Sequence, residues 1–268
     1  MEEKDFSTIS FEFKAQVAWV FLNRPQVHNA FNSTMISELL RVFGAIKEDE
    51  NLRVAVLTGN GRSFCAGADL NWMREIVKYS FEQNLEESRQ IADLHELIYT
   101  LPKPTVAMVN GTAIGGGTGF LSACDIAVAA EGAKFGLSEV KLGLVPAAIS
   151  PYVVRKIGES HARRYFLTGN RISASRACEI GLVNEVVALD ELKGTVNDLV
   201  EQLLTSGPEA LANCKDLLFQ VPRMDMAEAK EYTARMIANL RVSAEGQEGM
   251  AAFLEKRKPA WAKADKEE

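Results

Sequence analysis

The 268-residue chain is poor in the residues that build metal centres and covalent frameworks, with 4 cysteines and 3 histidines. Cys65, Cys124, Cys178 and Cys214 have no CxxC or CxxH spacing, which argues against a zinc site and a disulfide scaffold and for reduced thiols in the cytoplasm. No metal and no cofactor are expected. His28, His95 and His161 have neither mutual spacing nor a nearby serine nucleophile of the kind a triad needs. No apolar run reaches the ~18 residues of a membrane span, and the acidic opening MEEKDF has no apolar core, so a soluble, untargeted chain is expected. Positive charge is also in deficit, with 30 Lys and Arg against 36 Asp and Glu. That balance argues against a nucleic-acid surface, although a local basic cluster can still hold phosphates.

What is present fits a substantial core: 47% of residues are hydrophobic and 25% charged. ISFEFK (9–14) and VAWVFLN (17–23) alternate and are β-branched or aromatic, so they read as a hairpin ended by NRP. A helix capped by Asn32 or Ser33 follows, with Ile36, Leu39, Leu40, Phe43 and Ile46 on one face. Strand 53–59, a helix over 81–100, strand 105–111, a helix near 117–124 and strand 125–130 come next, with glycine loops at the strand ends. Recurring strand-to-helix units argue for an α/β core whose chemistry lies at those loops. After NEVVAL (184–189) the chain reads as helices over 190–205, 208–220 and 225–257, fit for oligomer packing or a lid. The division is placed at 1–195 and 196–268.

Two loops, CAGADL and NGTAIGGG, offer backbone N–H groups that no large side chain blocks. A helix starting near Gly116 or Gly117 adds free donors and a positive dipole end, which together suit an oxyanion; a tight turn or a phosphate loop remains the alternative. The stretch does not fit the GxGxxG dinucleotide pattern. Glu139, in FGLSEVKLGLVP, is the best acid or base candidate, because its small and apolar neighbours would desolvate it. The alternative is an exposed glutamate paired with Lys141 or Lys134. Cys65 reads as a small packing residue, and Trp72 and Met73 as pocket lining or one apolar helix face.

CAGADL, NGTAIGGG…ACDIAVA and FGLSEVKLGLVP resemble, in order and spacing, the enoyl-coenzyme A hydratase/isomerase (crotonase) superfamily. NRPQVHNAFN, LTGNRISASRACEIGLVNEVV and GMAAFLEKRKPAW extend the resemblance over nearly all of the chain. It implies an α/β spiral of ββα units, a helical C-terminal region packing into trimers or dimers of trimers, and an acyl-thioester substrate on coenzyme A. Ala68 and Gly116 fall on the family's two oxyanion-hole positions. Ala66, Asp69, Leu70, Asn71 and Gly115 are placed along the substrate by the same resemblance, and Gln26, Val27 and His28 where the backbone meets the adenine. The family often has lysine at Gln26, and Lys256, beside Arg257 and Lys258, is the candidate replacement charge. Family hydratases usually carry two glutamates; here the second is Glu139 and the first position is Gly119. Close helix packing and space for substrate or water are the two explanations for that glycine.

The wider stretch 138–171 and GADLNWM resemble the bacterial methylglutaconyl-coenzyme A hydratases. The resemblance therefore implies reversible hydration of a short, branched, carboxylated enoyl-coenzyme A. The group that would hold a distal carboxylate is not given by it; Arg74, Asn71, Ser138 and Ser150 are candidates, each equally a structural residue. An enoyl-coenzyme A isomerase and a non-catalytic acyl-coenzyme A-binding scaffold are the rival readings.

Overall fold

The structure is a computed structural model that describes residues 6–262. It separates into one unit made of residues up to Leu101 together with Thr105–Asn197, and a second made of Pro102–Pro104 and the chain from Asp198 onward.

The first unit is built on two sheets. β1 (Ile9–Lys14) and β2 (Val17–Leu22) form the expected antiparallel hairpin, turning through Ala15 and Gln16, both at positive φ. β3 (Val54–Gly59), β5 (Thr105–Val109), β7 (Ile126–Ala130) and β10 (Glu185–Val187) add to it in parallel, giving the order β1-β2-β3-β5-β7-β10. β3 is buried along its whole length, as a parallel strand covered on both faces must be. The second sheet consists of β4 (Ser63–Cys65), β6 (Thr112–Ile114), β8 (Lys134–Gly136) and β9 (Arg171–Ser173). Sequence reading missed it, because three-residue strands are too short to show alternation.

α1 (Ser33–Glu48) starts where expected: the Asn32 side chain accepts from Met35 N. α2 (Leu70–Ile76) is capped by Asp69 and α3 (Phe81–Thr100) by a Ser80–Gln83 capping box. α4 (Gly116–Ala123) is almost wholly buried, and Thr118 Oγ1 ties it to the carbonyls of Ala113 (2.8 Å) and Gly136 (3.1 Å). α5 (Ser150–Thr168) and α6 (Ala174–Glu179) complete the unit, and α7 (Leu192–Leu204) leads out of it.

In the second unit α8 (Pro208–Gln220) is followed by α9 (Met226–Val242) and α10 (Ala244–Leu254). The single helix expected over 225–257 is thus two. Ser243 ends α9 and caps α10, accepting from Gly246 N, and a Cβ at Gly246 would lie 1.8 Å from the Leu240 carbonyl oxygen. Glycine is required where the backbones approach so closely.

Candidate active site

The run of glycines is explained position by position. Gly115 sits at φ +54°, ψ −123°, a region that favours glycine, and its N–H is fixed on the Gly136 carbonyl at 2.8 Å. A Cβ on Gly116 would lie 2.5 Å from Phe31 Cε1, and one on Gly117 would lie 2.3 Å from the Cys65 carbonyl oxygen. The bare backbone lets the N-terminus of α4 press against the 65–68 loop, and pairing of Cys65 with Ala113 aligns the two.

Phe31 binds the two loops together. Its N–H donates to the Gly67 carbonyl and its own carbonyl accepts from Asp69 N, both at 2.8 Å, which leaves Ala68 between them in a parallel bridge. The Phe31 ring meets Gly116 on the other side. Among the described residues neither Ala68 N nor Gly116 N donates to a protein acceptor. A free amide at the first position of a helix, with the positive end of the dipole behind it, is a donor waiting for an anion or a polarised carbonyl.

Glu139 completes the arrangement. It opens a 3-10 turn (Glu139–Leu142), and its Oε1 would lie 3.1 Å from a Cβ built on Gly115, so the carboxyl lies against the residue preceding the Gly116 donor. Oε2 is buried with no hydrogen-bond partner. The pairing with Lys141 or Lys134 considered from sequence is not made. Burial raises its pKa, and a hydrogen bond to its own backbone only partly opposes that. A carboxyl with a raised pKa and a bare oxygen is suited to taking up and returning a proton.

Other sequence candidates fall differently. The Asp69 side chain is held by Arg24 (2.7 Å), Asn71 N (2.7 Å) and Trp72 N (3.3 Å), so it works on the protein rather than facing a free volume. Burial raises its pKa, but those hydrogen bonds and the Arg24 charge outweigh it and hold the carboxyl below its ordinary value. Leu70 and Asn71 are exposed at the start of α2, and Ala66 donates to the His28 carbonyl at 3.0 Å. Gln26, Val27 and His28 lie on an exposed turn, with His28 Nδ1 3.0 Å from Ser63 Oγ. Lys256 is exposed after α10 in the second unit, and Arg257 is taken up by Glu248 and Glu255. Arg74 donates to Asn71 Oδ1 at 2.7 Å and Ser150 Oγ to the Ala147 carbonyl at 2.8 Å. Cys65 is buried and its thiol is pushed up to about 12, which fits packing.

Gly119 has a clear answer. A Cβ there would lie 2.2 Å from Ile149 Cγ2 and 2.6 Å from His95 Nε2. Packing occupies the direction a side chain would take, which favours close helix packing over space for substrate or water as the reason for glycine at this position. His95, read from the sequence as having no catalytic spacing, shares that role with Ile149. It is fully buried, stacked on Phe120 (5.1 Å) and Tyr152 (5.8 Å), with Nδ1 on the Ile91 carbonyl at 2.6 Å and Nε2 unpartnered. Burial pushes its pKa down to about 4, against the smaller opposing pull of the Ile91 and Gly116 backbone, so the ring is neutral; because a carbonyl only accepts, the 2.6 Å bond to Ile91 puts the proton on Nδ1 and leaves Nε2 without a hydrogen bond.

Comparison with known proteins fixes what these loops belong to. The family model for enoyl-CoA hydratase/isomerase matches residues 12–264. The chain belongs to the enoyl-CoA hydratase/isomerase family. It is 38% identical over 250 residues to a Thermus thermophilus protein named as an enoyl-CoA hydratase, covering 92% of this chain and 97% of that one. It is 33% identical over 245 residues to the 2,3-dehydroadipyl-CoA hydratase of Escherichia coli, covering 91% and 94%. The crystal structure of an enoyl-CoA hydratase from Shewanella pealeana superposes with a TM-score of 0.94 at 42% identity, covering 97% of each chain. The two mixed sheets and C-terminal helices are the crotonase fold, and family membership makes acyl-CoA thioesters the substrate class. Among the described residues no helix is long and apolar enough to cross a membrane, and no group of three or more His, Cys, Asp or Glu could hold a metal ion.

Proposed function

We propose that the protein is a hydro-lyase that reversibly adds water across the C2=C3 bond of a short, branched, carboxylated enoyl-CoA such as 3-methylglutaconyl-CoA. The observation that carries this reading is the half-buried Glu139 carboxyl, its Oε2 shut off from solvent, lying against Gly115, the residue before the unpaired Gly116 amide, with the unpaired Ala68 amide as the second donor. The thioester oxygen would accept from both amides. When water attacks C3, electrons move through C2 onto that oxygen, and the two donors stabilise the enolate; each is worth roughly 10²- to 10³-fold in rate. Glu139 orients the water, receives its proton as the C3–O bond forms, and returns a proton to C2. Atoms balance as one hydroxyl on C3 and one hydrogen on C2, with no cofactor beyond the coenzyme A of the substrate.

The carboxylated acyl group is supported by charge. Glycine at 119 removes one carboxylate from the family's usual pair, and two unit charges ~4 Å apart repel by about 4 kcal/mol at an effective dielectric of 20. A relative named for a dehydroadipyl thioester, whose acyl group ends in a carboxyl, points the same way. Turnover of crotonyl-, dehydroadipyl- and 3-methylglutaconyl-CoA tests it: the carboxylated thioesters are expected to give the higher kcat/KM, and equal values would remove the charge argument.

Isomerisation between C2 and C4 is the second reading, favoured by the single carboxyl beside the oxyanion hole. Solvent labelled with oxygen-18 separates the two, because hydration places label on C3 and double-bond migration does not. A binding scaffold would show neither. For the assembly we propose a homotrimer or a dimer of trimers built on the second unit, where Leu218, Met226, Phe253 and Leu254 are more than three-quarters exposed. We place it in the cytoplasm, where its free thiols stay reduced.

A further inference from the structure

The two amides come from residues 68 and 116, far apart in sequence, and both rest on Phe31. Its backbone brackets Ala68 and its ring backs Gly116. The same ring is held edge-on by Trp72 at 5.5 Å and Phe120 at 5.8 Å. Whatever fixes residue 31 therefore fixes the separation of the two donors.

The chain leading into Phe31 takes an uncommon conformation, two left-handed residues in succession, at residue types that tolerate it better than most. His28 and Asn29 lie consecutively in the left-handed region, at φ +54° and +55°, and neither is glycine. Two such residues in a row are held in register by their surroundings. Asn29 supplies part of the restraint: its N–H donates to the Arg24 carbonyl, its Oδ1 accepts from Arg24 N at 2.8 Å, and its Nδ2 donates to the carbonyls of Asn60 and Ser63. The Arg24 guanidinium supplies the rest. Nη1 donates to the Ala30 carbonyl at 2.6 Å and Nη2 pairs with Asp69 Oδ2 at 2.7 Å. One planar fork thus grips the residue before Phe31 and the residue after Ala68. The pair is largely out of solvent, with side-chain exposures of 17% and 7%, so salt screens it little.

We propose that Arg24 is a positioning residue for the oxyanion hole: its fork locks the Phe31–Ala68 bridge and so sets the spacing of the Ala68 and Gly116 amides. Arg24 acts through Asp69 and Ala30 and touches no reacting atom. This rests on the reading of the site as an acyl-thioester oxyanion hole.

Two readouts test it together. One is the kcat and KM of Arg24→Gln on an enoyl-CoA the wild type turns over. The other is the carbonyl resonance of bound acyl-CoA labelled with carbon-13 at the thioester, which moves downfield when two donors polarise it. A misplacement of ~1 Å at a reacting centre costs about 10²-fold, so Arg24→Gln is expected to lower kcat by about that factor with little change in KM. The bound carbonyl is expected to shift less than in the wild type. Asp69→Asn should match it, and the double variant should be no worse than either, because both remove one link. Arg24→Lys keeps the charge but not the fork; it should fall between, and it carries the comparison should Arg24→Gln fail to fold. A wild-type carbonyl shift that survives unchanged in a folded Arg24 variant, or a loss confined to KM or to thermal stability, overturns the role of Arg24 and leaves the site reading intact. A wild type that binds acyl-CoA with no carbonyl shift overturns both.

Discussion

At the scale of the residue, the proposed chemistry turns on a glutamate's protonation and a glycine's missing side chain. Glu139→Gln keeps the shape and removes the proton transfer, so turnover is expected to fall by roughly 10²- to 10⁴-fold with far less effect on binding, measured by steady-state kinetics beside direct acyl-CoA titration. Because burial raises the Glu139 pKa above its ordinary 4.5, a base at this position loses activity on acidification at a higher pH than a solvated carboxylate would. The acidic limb of kcat/KM should lie above that value, and a limb at or below it would argue against Glu139 as the titrating group. Gly119→Ala places a methyl against Ile149 and His95, and overpacking of this kind costs about 1–3 kcal/mol, to be read as a lowered unfolding midpoint. Gly119→Glu should therefore lose stability without gaining a second working carboxylate. Truncating Ile149 together with it is the combination expected to recover the fold.

At the scale of the element, long periodic segments were legible and short or interrupted ones were not. The Asn32 cap, the apolar face of α1 and the β1–β2 hairpin follow from local signals that the structure repeats. The strands of the second sheet are three residues each and exist only because neighbours pair with them, so nothing local announces them. The first strand shows how a tertiary contact secures an element. Glu38 on α1 accepts from the N–H and hydroxyl groups of Ser7 and Thr8, tying the segment before β1 to the helix. Burial alone would raise the Glu38 pKa, but those four bonds together hold it below 4.5. A depressed carboxyl pKa stabilises the fold above the unfolded value and loses that contribution as pH falls through the folded one. Glu38→Ala should cost roughly 1–3 kcal/mol at neutral pH and much less in acid, checked by denaturant unfolding at both.

At the scale of the whole molecule, a buried histidine contributes to the loss of stability in acid. His95 is driven from 6.5 to about 4 by burial, so the unfolded chain binds a proton that the folded one refuses. Stability from this source is complete above pH ~6.5 and declines as pH falls toward 4, by a total on the order of 3 kcal/mol. His95→Phe is expected to flatten the stability profile over that interval even where it lowers stability at neutral pH; an unchanged slope would show that other groups dominate. The second unit carries the other molecular-scale expectation. Phe253 and Leu254 are 82% and 79% exposed; if the proposed trimer or hexamer packs on them, replacing both with serine should shift it toward smaller species in light scattering.

The sequence by itself determined the first hairpin, the long helices of the first unit and the two glycine loops, and it singled out Glu139 as the candidate carboxyl, because caps, periodicity and glycine placement are local properties of the chain. Tertiary structure alone decided what those residues touch. Asp69 turned out to serve Arg24 and α2, Gly119 to accommodate Ile149 and His95, and Phe31 to support both amides. These relations join residues tens of positions apart, and no pattern along the chain encodes a contact that only packing creates.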